Sequence, residues 1–287
     1  MAAEFEGQVA IVTGAGRGLG RAYAMELARL GARVVVNDVG VSLAGEHQDT
    51  APAQSVCDEI TALGGQAVPS FSSVASLAGG EAIVQAALSA WGRVDGVVCN
   101  AGIMRSRAFQ NMTEDEWNSV VQVHLGGAYA VLRAAWPVFR QQEYGRAVVI
   151  SSSVGLYGAF GGANYGAAKA GMLGLMNVLN IEGARYNIKV NAVAPVAATR
   201  MSAHVRGVQE LSSEDMELGG PEHVAPMVAY LLSRECPEAG LCVEVSSRHV
   251  NAARIVASPG IDRDPQAGPP DLAWIRQNWS QIVGAPD

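Results

Sequence analysis

The sequence predicts an α/β protein built as a single Rossmann-type, doubly wound domain with a parallel sheet of about seven strands. Short apolar runs alternate with amphipathic helical stretches along most of the chain, which is the pattern of this fold class. The apolar runs are continuous, as expected for parallel strands that helices cover on both faces. Residues 1–38 give strand, glycine-rich turn, helix and strand, which is the order of a βαβ unit.

Each element follows from a local pattern. The first apolar run ends in Thr13-Gly14, and the helical stretch after it ends at Gly31, a typical helix-stop residue. A capping-box pattern at Thr113 and Glu116 marks the start of a later helical region. The predicted strands cover 9–12, 33–38, 66–70, 94–99, 146–151, 188–194 and 241–245, and the predicted helices cover 19–30, 52–63, 77–91, 113–140, 163–186 and 221–233.

A change of composition near the C-terminus divides the chain. Residues 258–270 are rich in proline, which is typical of a linker. Beyond them, apolar residues recur at helical spacing, namely Leu272, Ile275, Trp279 and Ile282. We therefore predict a Rossmann-fold domain over 1–257 and a C-terminal extension over 258–287 that docks on its own core or on a neighbouring subunit.

The composition favours a large buried core, because 49% of the 287 residues are hydrophobic and only 16% are charged. The net charge of −7 disfavours nucleic-acid binding, which needs a basic face. The four cysteines show neither a CxxC pair nor metal-ligand spacing, so we expect reduced thiols and no metal site. Together with the lack of a signal-like or membrane-spanning apolar run, this predicts a cytoplasmic protein that binds no membrane.

The first turn carries a glycine pattern that suits a bound phosphate. It follows T-G-x-x-x-G-x-G from Thr13 to Gly20, between a predicted strand and a predicted helix. Glycines allow a tight turn and let a pyrophosphate approach the N-terminus of the following helix. A plain tight turn is the alternative, but the position between strand and helix favours binding. The predicted contacts are Gly14, Arg17, Gly18, Leu19 and Gly20.

Asp38 ends the second predicted strand, 18 residues after Gly20. A carboxylate there can bind the ribose hydroxyls of NAD and repels the 2′-phosphate of NADP. The plain alternative is a solvated aspartate at a strand end. Arg17 is a conflicting signal, because a basic side chain beside the glycines can accept a 2′-phosphate. We give Asp38 more weight, since repulsion between two anions is hard to offset, and predict NAD as the cofactor.

Tyr165 and Lys169 are four residues apart in a predicted helix and therefore share one face. A free phenol has a pKa of about 10, which is too high for a base at neutral pH. A nearby ammonium group lowers that pKa, so the pair can act as an acid/base unit. The same spacing also arises by chance in helices.

Several motifs, in one order, resemble those of the short-chain dehydrogenase/reductase family. They are the glycines above, Asn100-Ala101-Gly102, Ser152 located 13 residues before Tyr165, Lys169, and Asn191-Ala192-Val193-Ala194-Pro195. The resemblance covers roughly residues 6–246. It implies that Tyr165 exchanges the proton of a substrate hydroxyl, that Lys169 lowers the pKa of Tyr165, and that Ser152 holds the substrate oxygen.

The resemblance also implies further cofactor contacts. Thr199 would bind the nicotinamide carboxamide, although Val196-Ala197 replaces the family's usual Pro-Gly. Ser72 stands where the family often has an adenine-binding aspartate, so adenine binding would fall to the main chain near Ser73 and Val74. The predicted contacts beyond the glycine turn and Asp38 are Ser73, Val74, Asn100, Ala101, Gly102, Tyr165, Lys169, Pro195 and Thr199.

His124 departs from the family pattern, which usually has an asparagine there that helps to place a water in a proton relay. We expect a modified relay and include His124 among the predicted catalytic residues. A histidine that only packs in the core is an equally good interpretation of this position.

A narrower resemblance rests on Tyr157-Gly158-Ala159-Phe160-Gly161-Gly162-Ala163-Asn164-Tyr165 and on Val123-His124-Leu125. These segments resemble the (3R)-hydroxyacyl-CoA dehydrogenase part of peroxisomal multifunctional enzyme type 2 and its bacterial stand-alone relatives. The resemblance implies that NAD oxidises a 3-hydroxyacyl-CoA or a hydroxysteroid-like alcohol, and that the small residues of 163–186 pair subunits into a homodimer or homotetramer. Two alternatives stay open: an NADPH-dependent reductase of 3-oxoacyl thioesters or ketones, and a dinucleotide-binding sensor without catalysis.

Overall fold

An eight-stranded sheet forms the centre of the fold. The computed structural model describes residues 4–46, 49–199, 201–203, 208 and 212–284. The strands are β1 (Val9–Thr13), β2 (Arg33–Asn37), β3 (Gln66–Ser70), β4 (Gly96–Cys99), β5 (Gly145–Ile150), β6 (Ile188–Pro195), β7 (Cys242–Val245) and β8 (Val250–Ala253). Their order across the sheet is β3-β2-β1-β4-β5-β6-β7-β8.

Helices follow most of the strands. They are α1 (Gly18–Arg29), α2 (Ala51–Ala62), α3 (Leu77–Trp91), α4 (Glu114–Val121), α5 (Gly127–Gln142), α6 (Ser153–Tyr157), α7 (Ala163–Gly183), α8 (Ser213–Gly219), α9 (Ala225–Leu232) and α10 (Leu272–Val283). A π-helical turn, Gln122–Gly126, joins α4 to α5. Short 3-10 turns lie at Phe109–Asn111, Ala184–Tyr186, Pro221–His223 and Pro265–Ala267.

The sheet is covered on both faces, which explains its continuous apolar strands. Side chains of α1, α2 and α9 share one core with the sheet, and Tyr23, Leu27, Ile60 and Leu232 are fully buried there. Helices α3, α5 and α7 pack against the strands and against one another as a second layer. Burial of each large apolar side chain contributes about 1.5–3 kcal/mol, so these two layers supply most of the stability of the domain.

The strand order creates a crevice at one edge of the sheet. Strands β1 to β7 pair in parallel. The chain runs outward from β1 through β2 to β3 and then returns to β4, on the other side of β1. The connections after β1 and β4 therefore diverge at the carboxyl ends of the strands, where doubly wound folds bind their ligands. This arrangement confirms the predicted Rossmann-type fold class.

Three short elements were not predicted from the sequence: α6, α8 and β8. Each spans seven residues or fewer, too few to show a hydrophobic period. The eighth strand follows β7 after a four-residue turn, in which the Ser246 N–H donates to the His249 carbonyl at 2.8 Å. So short a link joins antiparallel strands, so β8 ends the sheet as a hairpin.

The C-terminal residues from Ala253 onward form a second compact unit, while the residues up to Ala252 form the first. Within this second unit, Arg263 donates to the carbonyls of Ala267 and Pro269, and its guanidinium lies 5.6 Å from the centroid of the Trp274 ring. The terminal helix expected from the apolar spacing is present as α10. The domain boundary after residue 257 and the docking of the extension stay predictions. Among the described residues, no helix is both long enough and apolar enough to cross a membrane.

Candidate active site

The glycine turn after β1 forms a cradle that only glycine fits. Gly14 and Gly18 have φ of +63° and +54°, in the left-handed region. A Cβ on Gly20 would lie 2.1 Å from the Gly14 carbonyl oxygen, so the turn closes on the start of α1. A Cβ added at Gly18 would have open space around it, with the Thr199 methyl carbon nearest at 4.0 Å. Arg17 caps α1 without a side-chain acceptor, which leaves helix amides for an anion, and these features fit a dinucleotide pyrophosphate.

Two side chains hold this cradle against the end of β4. The Asn100 amide donates to the carbonyls of Thr13 at 2.9 Å and Gly14 at 3.1 Å. The Thr13 hydroxyl in turn accepts the N–H groups of Asn100 at 3.0 Å and Ala101 at 3.1 Å. The side chain of Asn100 therefore shapes the crevice by fixing the backbone on both of its sides.

Asp38 lies beside the glycine turn with a fixed orientation. One carboxylate oxygen accepts the Gly16 N–H at 2.8 Å, and the other accepts the Gly40 N–H at 2.7 Å. The carboxylate is half-buried, whereas the Arg17 side chain is exposed. A negative charge is thus built into the turn, and the positive charge of Arg17 lies in solvent.

The segment after β3 borders the same end of the sheet. The amide of Asn37 donates to the carbonyls of Ser70 at 3.1 Å and Ser72 at 2.9 Å. The buried Val74 side chain packs directly on the backbone of Gly127, where an added Cβ would lie 2.7 Å from it. These contacts fix the main chain on either side of Ser73, where the sequence predicts an adenine-binding edge.

Ser152, Tyr165 and Lys169 come together at the carboxyl end of β5. The Lys169 ammonium lies over the Tyr165 ring, 5.4 Å from its centroid, and donates to the Ile150 carbonyl at 2.6 Å. Ser152 is the N-cap of α6, where its hydroxyl accepts the Val154 N–H at 3.1 Å, and it lowers the pKa of the Tyr165 phenol. The three side chains that the family motif predicts therefore form one cluster.

Burial dominates the electrostatics of this cluster. It lowers the pKa of Lys169 from 10.5 to about 7, because a buried ammonium loses its hydration. It also raises the pKa of Tyr165, and the Ser152 side chain opposes that rise. Burial thus makes the Tyr165 phenol a weaker acid than a free phenol.

His124 is buried next to this cluster rather than within it. Its ring meets the Tyr165 ring edge-on, with centroids 5.1 Å apart. Its Nε2 atom contacts the backbone of Ile103. Burial, together with the charge of Lys169, lowers the pKa of His124 to about 3. The histidine is therefore neutral at ordinary pH.

Thr199 lies on the other side of the crevice, after Pro195 ends β6. The Thr199 N–H donates to the Ser202 hydroxyl at 2.8 Å, and the Thr199 hydroxyl accepts the Ser202 N–H at 3.2 Å. These bonds, with the approach of its methyl group to Gly18, place Thr199 beside the glycine turn despite the Val196-Ala197 departure.

Two positioning contacts were missed by sequence reasoning. The amide of Asn164 donates to the carbonyls of Arg105 and Glu116 at 2.9 and 2.8 Å, and its oxygen accepts the Tyr165 N–H at 2.7 Å. Tyr157, at the end of α6, donates to Glu244 at 2.7 Å. Only the polar residue directly before Tyr165 gave a signal in the sequence, because the other partners are far apart along the chain.

Comparisons with known proteins show the family of the chain. The family model described as short chain dehydrogenase matches residues 8–209. A Mycobacterium tuberculosis protein described as a short-chain type dehydrogenase/reductase is 46% identical over 276 residues, covering 96% of this chain and 94% of the relative. A short chain dehydrogenase structure from Mycobacterium avium superposes with a TM-score of 0.84 at 38% identity, covering 98% of this chain and 97% of that one.

Two further relatives bear on the branch of the family. Mouse peroxisomal multifunctional enzyme type 2 is 42% identical over 278 residues, covering 97% of this chain but only 37% of the mouse protein. The hydroxyacyl-CoA dehydrogenase ChsB1 of Mycobacterium tuberculosis is 38% identical over 252 residues, covering 82% of this chain and 75% of the relative. This chain thus spans about a third of the mouse enzyme.

The fold and the site have the features of a dinucleotide-dependent oxidoreductase that acts on CH–OH groups. The chain belongs to the short-chain dehydrogenase family and is similar to the dehydrogenase part of peroxisomal multifunctional enzyme type 2. As a member of the family, it uses a nicotinamide dinucleotide.

Replacement of Lys169 by Met should change how stability depends on pH. Between pH 7 and 10.5 the unfolded chain holds a proton on Lys169 that the folded chain has lost, so folded-state stability rises with pH in that window. Below pH 7 both states carry the proton, and the burial penalty is present in full. The difference in unfolding free energy between wild type and Lys169→Met should grow in favour of wild type by about 2–3 kcal/mol from pH 6 to pH 9.

Urea unfolding of both proteins at pH 6 and pH 9, at one protein concentration, measures this difference. The control is Lys189→Met, which removes a partly exposed ammonium that reaches the Cys236 and Pro237 carbonyls. If the unfolding free energies of wild type and Lys169→Met changed equally with pH, the pKa of Lys169 would not be lowered in the folded state.

Proposed function

We propose that the protein is an NAD-dependent dehydrogenase of a 3-hydroxyacyl-CoA or a related secondary alcohol such as a hydroxysteroid. The observation that carries the proposal is the cluster of Ser152, Tyr165 and Lys169 at the same edge of the sheet as the glycine turn. The similarity to a hydroxyacyl-CoA dehydrogenase and to peroxisomal multifunctional enzyme type 2 supports the substrate class.

The residues along the crevice would hold the cofactor in order. The glycine turn, with Arg17 and Leu19, suits the pyrophosphate. Asp38 would bind the adenosine ribose, and the main chain at Ser73 and Val74 would border the adenine. Asn100-Ala101-Gly102 would line the adenine-ribose side of the pocket. Farther along, Pro195 and Thr199 would flank the nicotinamide half, with Tyr165 and Lys169. When bound, the dinucleotide supplies the hydride acceptor for oxidation of the alcohol.

The chain's own groups then handle the proton. The substrate oxygen would lie between the Ser152 hydroxyl and the Tyr165 phenol, whose pKa Ser152 already lowers. Tyr165 would take the hydroxyl proton as general base, and Ser152 would keep the oxygen in place. Because burial raises the pKa of Tyr165, its tyrosinate needs the Lys169 ammonium above the ring as a counter-charge.

The orientation of Asp38 favours NAD over NADP. Two backbone N–H groups hold its carboxylate beside Gly16, so the negative charge cannot swing away from a 2′-phosphate. A reductase that uses NADPH remains the second candidate, because the exposed Arg17 side chain lies next to the same turn.

Replacement of Tyr165 by Phe should lower kcat by about 10²–10⁴-fold, because it removes the hydroxyl that would act as general base and keeps the aromatic ring. The assay follows NADH formation with a panel of 3-hydroxyacyl-CoAs and hydroxysteroids, and NADH binding should change less than threefold. Tyr230→Phe, on an exposed face of α9, is the matched control. Normal turnover by Tyr165→Phe would contradict the mechanism, and a wild-type protein that binds NADH but oxidises no alcohol would favour the sensor.

Titration with NADH and NADPH, followed by quenching of tryptophan fluorescence, should show at least tenfold tighter binding of NADH, which equals about 1.4 kcal/mol. Asp38→Asn keeps the shape of the side chain but removes its charge, so this preference should shrink. Arg17→Gln should weaken NADPH binding more than NADH binding. Tighter binding of NADPH by wild type would instead assign a reductase.

We also propose that subunits pair across α7. Its outer face exposes small residues, Ala167, Ala170 and Gly174, followed by Val178 at 52% and Ile181 at 80% exposure. Close helix approach at small residues and burial of exposed apolar side chains both favour a two-fold pair.

Gly174→Arg should convert the oligomer to a monomer, as measured by analytical ultracentrifugation. Within the subunit the substitution has room, because a Cβ on Gly174 meets no atom of the described chain within 4 Å. Ala82→Arg, on an exposed face of α3, is the control and should leave the oligomer intact. An unchanged assembly in Gly174→Arg would exclude this face.

A further inference from the structure

The backbone of Ile103 offers the Nε2 atom of His124 both an acceptor and a donor. His124 lies on the π-helical turn between α4 and α5 and is 2% exposed. Its Nε2 lies 2.8 Å from the Ile103 carbonyl oxygen and 3.2 Å from the Ile103 nitrogen. The two contacts favour opposite tautomers, because the carbonyl needs a hydrogen on Nε2 and the N–H needs a lone pair there. The shorter contact favours Nε2–H, since the other tautomer would let the Ile103 N–H donate at 3.2 Å but would set two lone pairs against each other at 2.8 Å.

The ring of His124 also fills the space between two parts of the site. A Cβ on Gly102 would lie 2.1 Å from its Cε1 atom, so the ring packs directly on the backbone of Gly102. On its other side, the ring stands at 89° to the Tyr165 ring. His124 therefore acts as a spacer between the segment after β4 and the Tyr165 side chain.

The charges around His124 keep it neutral. The titratable groups near it are Lys169 and Tyr165, both on α7, and the Ile103 carbonyl faces it from the segment after β4. Its Nδ1 is buried and has no hydrogen-bond partner among the described residues. Protonation of Nδ1 would bury a second cation near Lys169, which explains why the pKa of His124 falls.

We propose that His124 is a positioning residue: as a neutral Nε2–H tautomer, it locks the Gly102-Ile103 segment to the ring of Tyr165. The inference rests on the proposed function, because it concerns the orientation of the proposed base. It is the alternative to the expected proton-relay role, and it is supported by the polar contacts of the imidazole, which among the described residues are to the backbone of Ile103. Its ring, which an asparagine lacks, is what fills the space beside Gly102.

The first test does not require activity. A long-range ¹H–¹⁵N correlation spectrum of the full protein, with His124→Gln to assign the signal, reports the tautomer. The expected result is an Nε2–H imidazole whose shifts stay constant between pH 5 and pH 9. An Nδ1–H tautomer, or titration near pH 6.5, would overturn the proposal whether or not an alcohol substrate is found.

The second test separates the hydrogen bond of the imidazole from the packing of its ring. His124→Phe keeps a ring but loses the donor, whereas His124→Gln keeps a donor near the Nε2 position but loses the ring. We expect each variant to lower kcat at least tenfold while the substrate KM changes less than threefold. We also expect the acid limb of the pH–kcat profile to move upward by at least half a pH unit. A more mobile Tyr165 ring would move away from the Lys169 ammonium, and the pKa of the phenol would rise.

Unfolding in urea measured in parallel shows how much of each variant is folded at assay conditions. The control is His249→Phe, which changes an exposed histidine in the β7–β8 turn. If the folded variants keep the wild-type kcat and acid limb, the lock has no functional role. If the acid limb disappears instead of moving, His124 is a proton carrier and the positioning role is wrong. If wild type oxidises no alcohol, the proposed function fails, and the spectrum alone decides the tautomer.

Discussion

The bond network between the ends of β1 and β4 is the constraint on which the site depends. Thr13 and Asn100 exchange side-chain and backbone hydrogen bonds across the point where the strand order reverses. Each such bond contributes about 1 kcal/mol net, but the loss of either partner would leave buried polar groups unpaired. The network fixes the glycine turn on one side and the segment from Ala101 to Ile103 on the other.

The restraint extends from the ends of β1 and β4 toward Tyr165. The fixed segment presents the Ile103 carbonyl to His124, whose ring stands against Tyr165. Asn164 adds a second restraint from the side of α4, because it ties the backbone of Tyr165 to Glu116 and Arg105. Tyr165 is thus held from two directions by groups that do not titrate at neutral pH, which suits its proposed role as a base whose geometry must stay fixed while its own charge changes.

The features that sequence reasoning predicted are those in which one local pattern carries the chemistry. The glycine turn, Asp38 at a strand end and the Tyr165–Lys169 spacing each lie within one element or its end, so period and spacing were enough to find them. Ser152 was predicted only through the family resemblance, in which a serine stands 13 residues before the tyrosine. The contact of His124 with Ile103 spans 21 residues and that of Tyr157 with Glu244 spans 87, and no periodicity encodes such pairs. The short hairpin strand β8 escaped for a related reason, because four residues give too little pattern.

Lys169 shows why stability and function pull in different directions here. The side chain is 2% exposed, and its ammonium donates to a carbonyl; among the described residues, no carboxylate lies within ion-pair distance of it. A carboxylate partner would relieve the burial penalty, which is what lowers the pKa of Lys169 to about 7. In the proposed mechanism, such a partner would also neutralise the cation that the phenolate of Tyr165 needs to offset its own burial. A buried lysine without a carboxylate partner destabilises the fold, and under the proposed function this cost leaves a cation available to the ionised Tyr165.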